Sequence, residues 1–242
     1  MTKRIVSLLL VLMLAMSLLA GCGSEAPEDK KDNEVVSNNT PVATDAPTEP
    51  PMEDRPLALG EINGNTYTNT YAGIGVTFPE GWYLMPAEEL QEMPSNVRDL
   101  MEGTELGDAI KDVQQFTDVF AENVDDLVNV NILFQKQTFQ QRAAFMMLTE
   151  EQIADETMKQ KDMLFESYAA AGINASSMEK VTVTFLGEEH IAIKTVAETQ
   201  GVPYYILQVF NYHLGEYSVV VTMASFVEDN TESMLDMFYS VD

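Results

Sequence analysis

The chain has 242 residues, one cysteine and a formal net charge of −26, from 13 basic and 39 acidic side chains. Nucleic acid and anionic lipid headgroups are bound by clustered Lys and Arg, and here the few basic residues are scattered, so neither is expected as a partner. A single thiol excludes an internal disulfide and any multi-cysteine metal site. No cofactor is expected.

Lys3 and Arg4 lead an apolar run from Ile5 to Ala20 that ends in Leu19-Ala20-Gly21-Cys22. A charged start, an apolar centre and small residues before a break form a secretory signal, which is removed from the mature protein. A spanning helix needs about 20 apolar residues to cross roughly 30 Å of hydrocarbon, so this run is too short to remain as one. Leu19, Ala20, Gly21 and Cys22 together resemble the lipobox of bacterial lipoproteins. The resemblance implies that residues 1–21 are cleaved, that Cys22 is acylated, and that its lipid holds the protein on the extracytoplasmic face of the cell membrane. The Gram-positive cell surface is the expected setting. Two acyl chains anchor a protein stably where one does so only marginally. Cleavage removes Lys3 and Arg4, leaving 11 basic against 39 acidic residues, a net charge of −28. Acylation occupies the only thiol, so neither a cysteine nucleophile nor a redox centre remains.

Residues 22–56 comprise the lipidated cysteine and a stretch rich in Glu, Asp, Asn, Thr, Ala and Pro, including Ala46-Pro47-Thr48-Glu49-Pro50-Pro51. With almost no aliphatic content it is expected to be a disordered tether, with an r.m.s. span of about 30–35 Å as flexible coil. Residues 57–242 lie within the ordinary size range of one domain.

In that domain, Thr66 to Tyr71 has strand composition, Gly73-Ile74-Gly75 makes a turn, and Val76-Thr77-Phe78 returns, which predicts a hairpin. Pro79-Glu80-Gly81 forces a turn, after which Trp82-Tyr83-Leu84 re-enters a sheet or covers its end. From Pro86 to about Asp112 the pattern is helical but interrupted by Pro94, Gly103 and Gly107, predicting short helices. Phe116 to Ala121 and Leu127 to Lys136 read as a second hairpin about Asp125-Asp126. In the latter strand Val128, Val130, Ile132 and Phe134 alternate with polar residues, which predicts one buried face. Thr149 and Gln152 form a capping box that opens a long helix ending at Gly172, with Ile153, Thr157, Leu164 and Tyr168 directed inward. Four strands follow, Lys180 to Leu186, His190 to Ala197, Tyr204 to Tyr212 and Tyr217 to Ala224, and their short connections predict an antiparallel meander. A final helix is predicted from about Asn230 to Tyr239. The expected class is α+β, an antiparallel sheet with helices packed on its faces.

The run Tyr71-Ala72-Gly73-Ile74-Gly75-Val76-Thr77-Phe78-Pro79-Glu80-Gly81-Trp82 resembles the opening of PsbP/Mog1-like domains: a strand, a Gly turn, a hydrophobic strand and Pro-x-Gly-Trp. The order of later elements agrees with that family. The resemblance implies a PsbP/Mog1-like α/β/α sandwich and an accessory or binding role. It carries no partner-binding or metal-binding residue onto this chain.

The candidate chemistry is sparse. His190 and His213 are the only histidines, and neither stands in a triad motif. Adjacent residues of a strand point to opposite faces, so Glu188-Glu189-His190 could offer one metal only Glu188 and His190, and a turn is the simpler reading. Asp125-Asp126 and Glu228-Asp229-Asn230 lack the spacing of a calcium loop, and Asp229 or Asn230 is expected to cap the last helix. Met234 and Met237 read as core packing. Catalytic residues and metal ligands are therefore assigned to none. The weak binding-surface candidates are Tyr204, Tyr205 and Tyr212, since tyrosine joins apolar area to a hydroxyl, with cross-strand aromatic packing as the alternative. The expected function is a non-enzymatic binding or accessory module that contacts a protein or envelope component. The alternatives are an extracytoplasmic enzyme with acidic catalytic residues assembled by the fold, and a solute-binding lipoprotein serving a transporter.

Overall fold

A computed structural model describes residues 57–92 and 114–241. The signal segment, Leu19 to Cys22, the tether and the helices expected between Pro94 and Asp112 lie outside the described residues.

Strands β1 (Glu61–Asn63), β2 (Thr66–Asn69) and β3 (Ile74–Thr77) form consecutive hairpins. Gly73 sits at φ +68° in the turn where β2 becomes β3, a conformation other residues enter at a cost. At Gly75 a Cβ would lie 2.4 Å from the Tyr239 ring, so glycine there permits the closing strand to approach. That strand is β11 (Phe238–Ser240), which pairs with β3 and completes a four-stranded sheet ordered β1-β2-β3-β11.

The larger sheet has seven antiparallel strands. β4 (Tyr83–Leu84) pairs at its edge with β5 (Gln115–Asn123), and β6 (Val128–Lys136) follows. The meander β7 (Asn174–Phe185), β8 (Glu188–Thr199), β9 (Val202–Leu214) and β10 (Tyr217–Phe226) closes back on β6, giving the order β4-β5-β6-β10-β9-β8-β7. Helices α1 (Ala87–Glu92), α2 (Phe139–Phe145), α3 (Glu150–Lys159) and α4 (Lys161–Ala170) complete the described elements, with a 3₁₀ turn at Ser233–Met237.

The described residues are thus α+β with antiparallel sheets. One face of the large sheet packs Leu133, Val220, Ile206 and Phe210 against Phe145, Ile153, Leu164 and Tyr168 of the helices. The other face packs Phe134, Ile132, Val221 and Leu207 against Tyr67, Val76, Phe78 and Phe238 of the small sheet and its neighbours. Among the described residues this second face is therefore covered by the small sheet and the 3₁₀ turn, where helices were expected on both faces.

A bulge between Thr117 and Val119 in β5 joins the two sheets. It frees Asp118, whose Oδ2 accepts hydrogen bonds from the Gly60 amide (2.8 Å), the Tyr67 hydroxyl (2.6 Å) and the Asn69 amide group (2.8 Å). Burial, with the Asp118 charge added, pushes the Tyr67 hydroxyl far above the ordinary phenol range, so it remains a donor.

Four sequence expectations are corrected. The single helix from Thr149 to Gly172 is two helices. The cap is as expected, with Thr149 and Gln152 bonded reciprocally, but buried Thr157 returns its hydroxyl to the Ile153 carbonyl. Such back-bonding bends helices, and the chain turns at Gln160. The final helix is a 3₁₀ turn followed by a strand, because aromatic Phe238-Tyr239 satisfies its backbone on the open edge of β3. The strand at Val128 to Lys136 is buried on both faces, since β6 is central and its polar residues Asn129, Asn131 and Gln135 lie beneath the helix layer. Helix α2 was not expected, although Thr138 and Gln141 form the same capping box that marked α3.

Loop 227–232 is held under strain. Val227 adopts φ +70°, unusual for a β-branched residue. Lys194 on β8 fixes the loop by reaching Asp229 and Glu232, each at 2.8 Å. Burial works to raise the Asp229 carboxyl, but hydrogen bonds from Lys194 and Thr231 outweigh it and hold the group below its ordinary value of 3.8. A depressed carboxyl adds stability that is complete above the unfolded value and lost as pH falls through the folded one. Acid titration below about pH 4 should therefore destabilise the wild type more than a Lys194→Met variant. Parallel melting curves over that range check it, and identical pH dependence would exclude the contribution.

Candidate functional site

Tyr204 and Tyr212, expected on a binding surface, are buried at 0% and 5% exposure; Tyr205 is only partly covered. The reason is topological. Strand β9 lies inside the sheet between β8 and β10, and its even-numbered side chains point toward the helices. Tyr204 stacks on Phe226 with ring centroids 4.4 Å apart, and Tyr212 packs on Phe145 at 4.6 Å. Burial pushes both hydroxyls well above the phenol range. Aromatic packing across the sheet, the alternative reading, accounts for Tyr204 and Tyr212.

His190 faces Glu150 at the start of α3, with Nδ1 to Oε1 at 2.8 Å, while Glu150 Oε2 accepts the Ile191 amide at 3.0 Å. The pair fastens α3 to β8. Glu188 and Glu189 are exposed at the β7–β8 turn. Asn123 accepts the amides of Asp125 and Asp126 and donates to Asp126 Oδ2, so these acidic residues build the β5–β6 turn. Asp229 accepts from the Thr231 amide and hydroxyl and does not cap the 3₁₀ turn, whose first residue is bonded elsewhere: the Ser233 hydroxyl donates to the Asn230 carbonyl. Met234 is buried and Met237 packs against the same apolar cluster. Among the described residues no three His, Cys, Asp or Glu side chains converge as a metal site.

Two features remain. On α2 and its C-terminal turn, Phe139, Ala143, Met146 and Met147 recur at i, i+4, i+7 and i+8, the spacing of one helical face. That face points outward: Phe139 is 78% exposed, Met146 57% and Met147 84%. The opposite side of α2 buries Phe145 against Tyr212, so the helix is apolar on two sides. Exposed clusters of Phe and Met are characteristic of contact surfaces, methionine in particular adapting to varied partners.

The second feature lies under the helices. Asn129, Asn131 and Gln135 of β6 are 2%, 0% and 4% exposed and share the helix-facing side with Leu133. The Asn129 and Gln135 side-chain oxygens and both polar atoms of Asn131 lack hydrogen-bond partners, as do the hydroxyls of Tyr204 and Tyr212. The Tyr168 hydroxyl approaches Thr195 without closing a bond of normal geometry. Each unpaired buried group costs about 1–3 kcal/mol, and a domain's whole stability is about 5–15 kcal/mol. Ordered water is the usual partner of such groups. At the Tyr212 end of this polar layer a small cavity of about 10 Å³, lined by Glu150, Ile153, Thr157, Phe210 and Tyr212, has room for one water. The opposite face of the sheet shows no such groups among the described residues.

Sequence reasoning missed both features. The α2 stripe was legible as the capping box plus the 3.6-residue spacing; the carboxamide layer was visible only as the polar half of an alternating strand.

No family model matches the chain, and no curated protein matches it. Among solved structures, a crystal structure from Bacteroides thetaiotaomicron VPI-5482 is similar over 75% of this chain at 10% identity, with a TM-score of 0.35. This chain spans 50% of that one.

Proposed function

We propose that the protein is a lipoprotein tethered to the extracytoplasmic face of the cell membrane through Cys22, with a PsbP/Mog1-like domain that serves as a non-enzymatic binding or accessory module. The exposed apolar face of α2 carries this reading. A chain so rich in carboxylates has ample means of solvating its surface, yet it presents Phe139, Met146 and Met147 together on one capped helix. Exposure of such side chains is tolerated singly and selected in groups where a partner covers them. The lipobox residues Leu19 to Cys22 and the acidic, proline-bearing tether behind them support the address. The motif from Tyr71 to Trp82 supports the family: Tyr71 is buried, its hydroxyl donates to the Leu214 carbonyl, and Trp82 packs on Phe78 at 5.1 Å. In this variant of the architecture the N-terminal hairpins and β11 take the place of one helical layer.

The partner is a protein with an apolar contact surface. Cross-linking from a photoreactive residue at position 147, on intact cells, tests the reading. One dominant adduct is expected, reduced at least tenfold by Phe139→Ser with the fold retained.

A further inference from the structure

We infer that one end of the large sheet, where the β5–β6 turn, the start of β9 and the chain after β10 meet, is a docking surface for a cationic amphipathic segment of a partner protein, one that combines apolar residues with Lys or Arg. This surface is separate from the α2 face and does not depend on it.

A row of apolar side chains follows from the strand order. β4, β5, β6, β10 and β9 are consecutive neighbours, and at one end of them lie Tyr83, Val124, Leu127, Val227 and Val202. Backbone hydrogen bonds hold the turns side by side: the Phe226 amide donates to the Leu127 carbonyl and the Val227 amide to the Pro203 carbonyl, each at 3.0 Å. Tyr83 pairs with Glu122, next to the β5–β6 turn. The five side chains are 37–59% exposed, and they are five of the eleven large hydrophobics exposed among the described residues. With strands about 4.8 Å apart the row is about 19 Å long, the length of roughly 13 residues of helix.

The backbone is strained at two of these positions. Leu127 at φ +56° and Val227 at φ +70° occupy the left-handed region, where Asn is better tolerated and, in a turn, better solvated. Leu186 adopts φ +53° as well, but its side chain packs against the core on the small-sheet side. Leu127 and Val227 belong to neither apolar cluster and are 44% and 53% exposed, so core packing does not offset their strain. Strain that the fold itself does not use collects at functional sites.

Charge selects the occupant. The strand ends and turns of this edge, residues 80–84, 122–128, 198–204 and 226–230, contain seven carboxylates and no Lys or Arg. One of the seven, Asp229, is paired with Lys194 at 2.8 Å. An apolar centre with an acidic rim complements an apolar segment that carries Lys or Arg. The same carboxylates repel anionic headgroups, and a second copy of this chain would set one acidic rim against another, because a two-fold contact pairs a patch with itself.

Calorimetric titration of the full chain with an amphipathic peptide of about 14 Leu and Lys residues tests the proposal, with the same pattern in Leu and Glu as the control. The Leu–Lys peptide is expected to bind and the Leu–Glu peptide is not. Any acidic protein attracts a cationic peptide, so the decisive variant keeps every charge. Leu127→Asn combined with Val227→Asn should weaken binding at least tenfold and melt about 2–5 °C above the wild type, since the strain leaves with the apolar side chains. Phe139→Ser on α2 should bind as the wild type does. No binding to the wild type, or undiminished binding to the double variant, overturns the proposal. So does a double variant that melts below the wild type, which would give Leu127 and Val227 a structural role. Retention of the wild type but not the double variant on phosphatidylcholine vesicles also overturns it, by making the occupant a lipid surface. None of these results bears on cross-linking from α2.

Discussion

Asp118→Ala should lower the stability of the domain by about 2–4 kcal/mol, because it removes the shared acceptor of three hydrogen bonds at the seam between the sheets. A single carboxylate oxygen accepts three hydrogen bonds, at 2.6–2.8 Å, from Tyr67, Asn69 and the Gly60 amide. Tyr67 and Asn69 are 0% and 1% exposed. Removing the acceptor leaves buried donors unpaired at about 1–3 kcal/mol each, partly offset where Asn69 keeps its bond to the Ala58 carbonyl. The loss falls at the seam between the two sheets, so it weakens the packing of β1 and β2 as a unit. Asp118→Asn retains an oxygen without the charge and should cost less than half as much. Urea denaturation measures both: a lower midpoint at unchanged slope is expected, and a loss below 1 kcal/mol for alanine would show that the bulge is not the clasp described.

Cys22→Ala should abolish lipid anchoring of the mature protein. The proposed anchor is one atom, the Cys22 sulfur, and no helix among the described residues is long and apolar enough to cross a membrane. A net charge of −28 after cleavage disfavours adsorption to anionic headgroups, and two acyl chains make the difference between stable and marginal anchoring. Fractionation should find the variant released into the medium or held as an uncleaved precursor that still carries Lys3 and Arg4. A Cys22→Ala protein that is normally processed and membrane-bound would contradict the lipid anchor.

The sheet was the most legible part of the fold. Four strands with alternating apolar residues and tight turns at Gly187, Gly201 and Gly215 could form little other than a meander; three of them form within two residues of their expected limits, while β7 begins at Asn174, six residues before the expected Lys180. Local signals also set the caps, as at Thr149. What sequence could not supply was what lay across from each strand. Val128 to Lys136 alternates as a half-buried strand does, but only the closure of β10 onto β6, nearly ninety residues away in the chain, makes it central and covers Asn131. The same non-local pairing turns Phe238-Tyr239-Ser240 from helix to strand, since its hydrogen-bond partners belong to β3. Tyr204 and Tyr212 were misplaced for a related reason: tyrosine suits a surface and an interior equally, and strand order decides between them. The α2 stripe differs, because its capping box and its 3.6-residue spacing are both present in the residues themselves.

The claim that this is a binding module depends on the outward face of α2, and cross-linking from position 147 of the tethered protein on intact cells tests it most directly. Position 188, exposed at the β7–β8 turn, provides the comparison. A single dominant adduct from 147, absent from 188 and lost with Phe139→Ser, is the predicted result. Equal, unspecific labelling from both positions, or no adduct from 147, would contradict it.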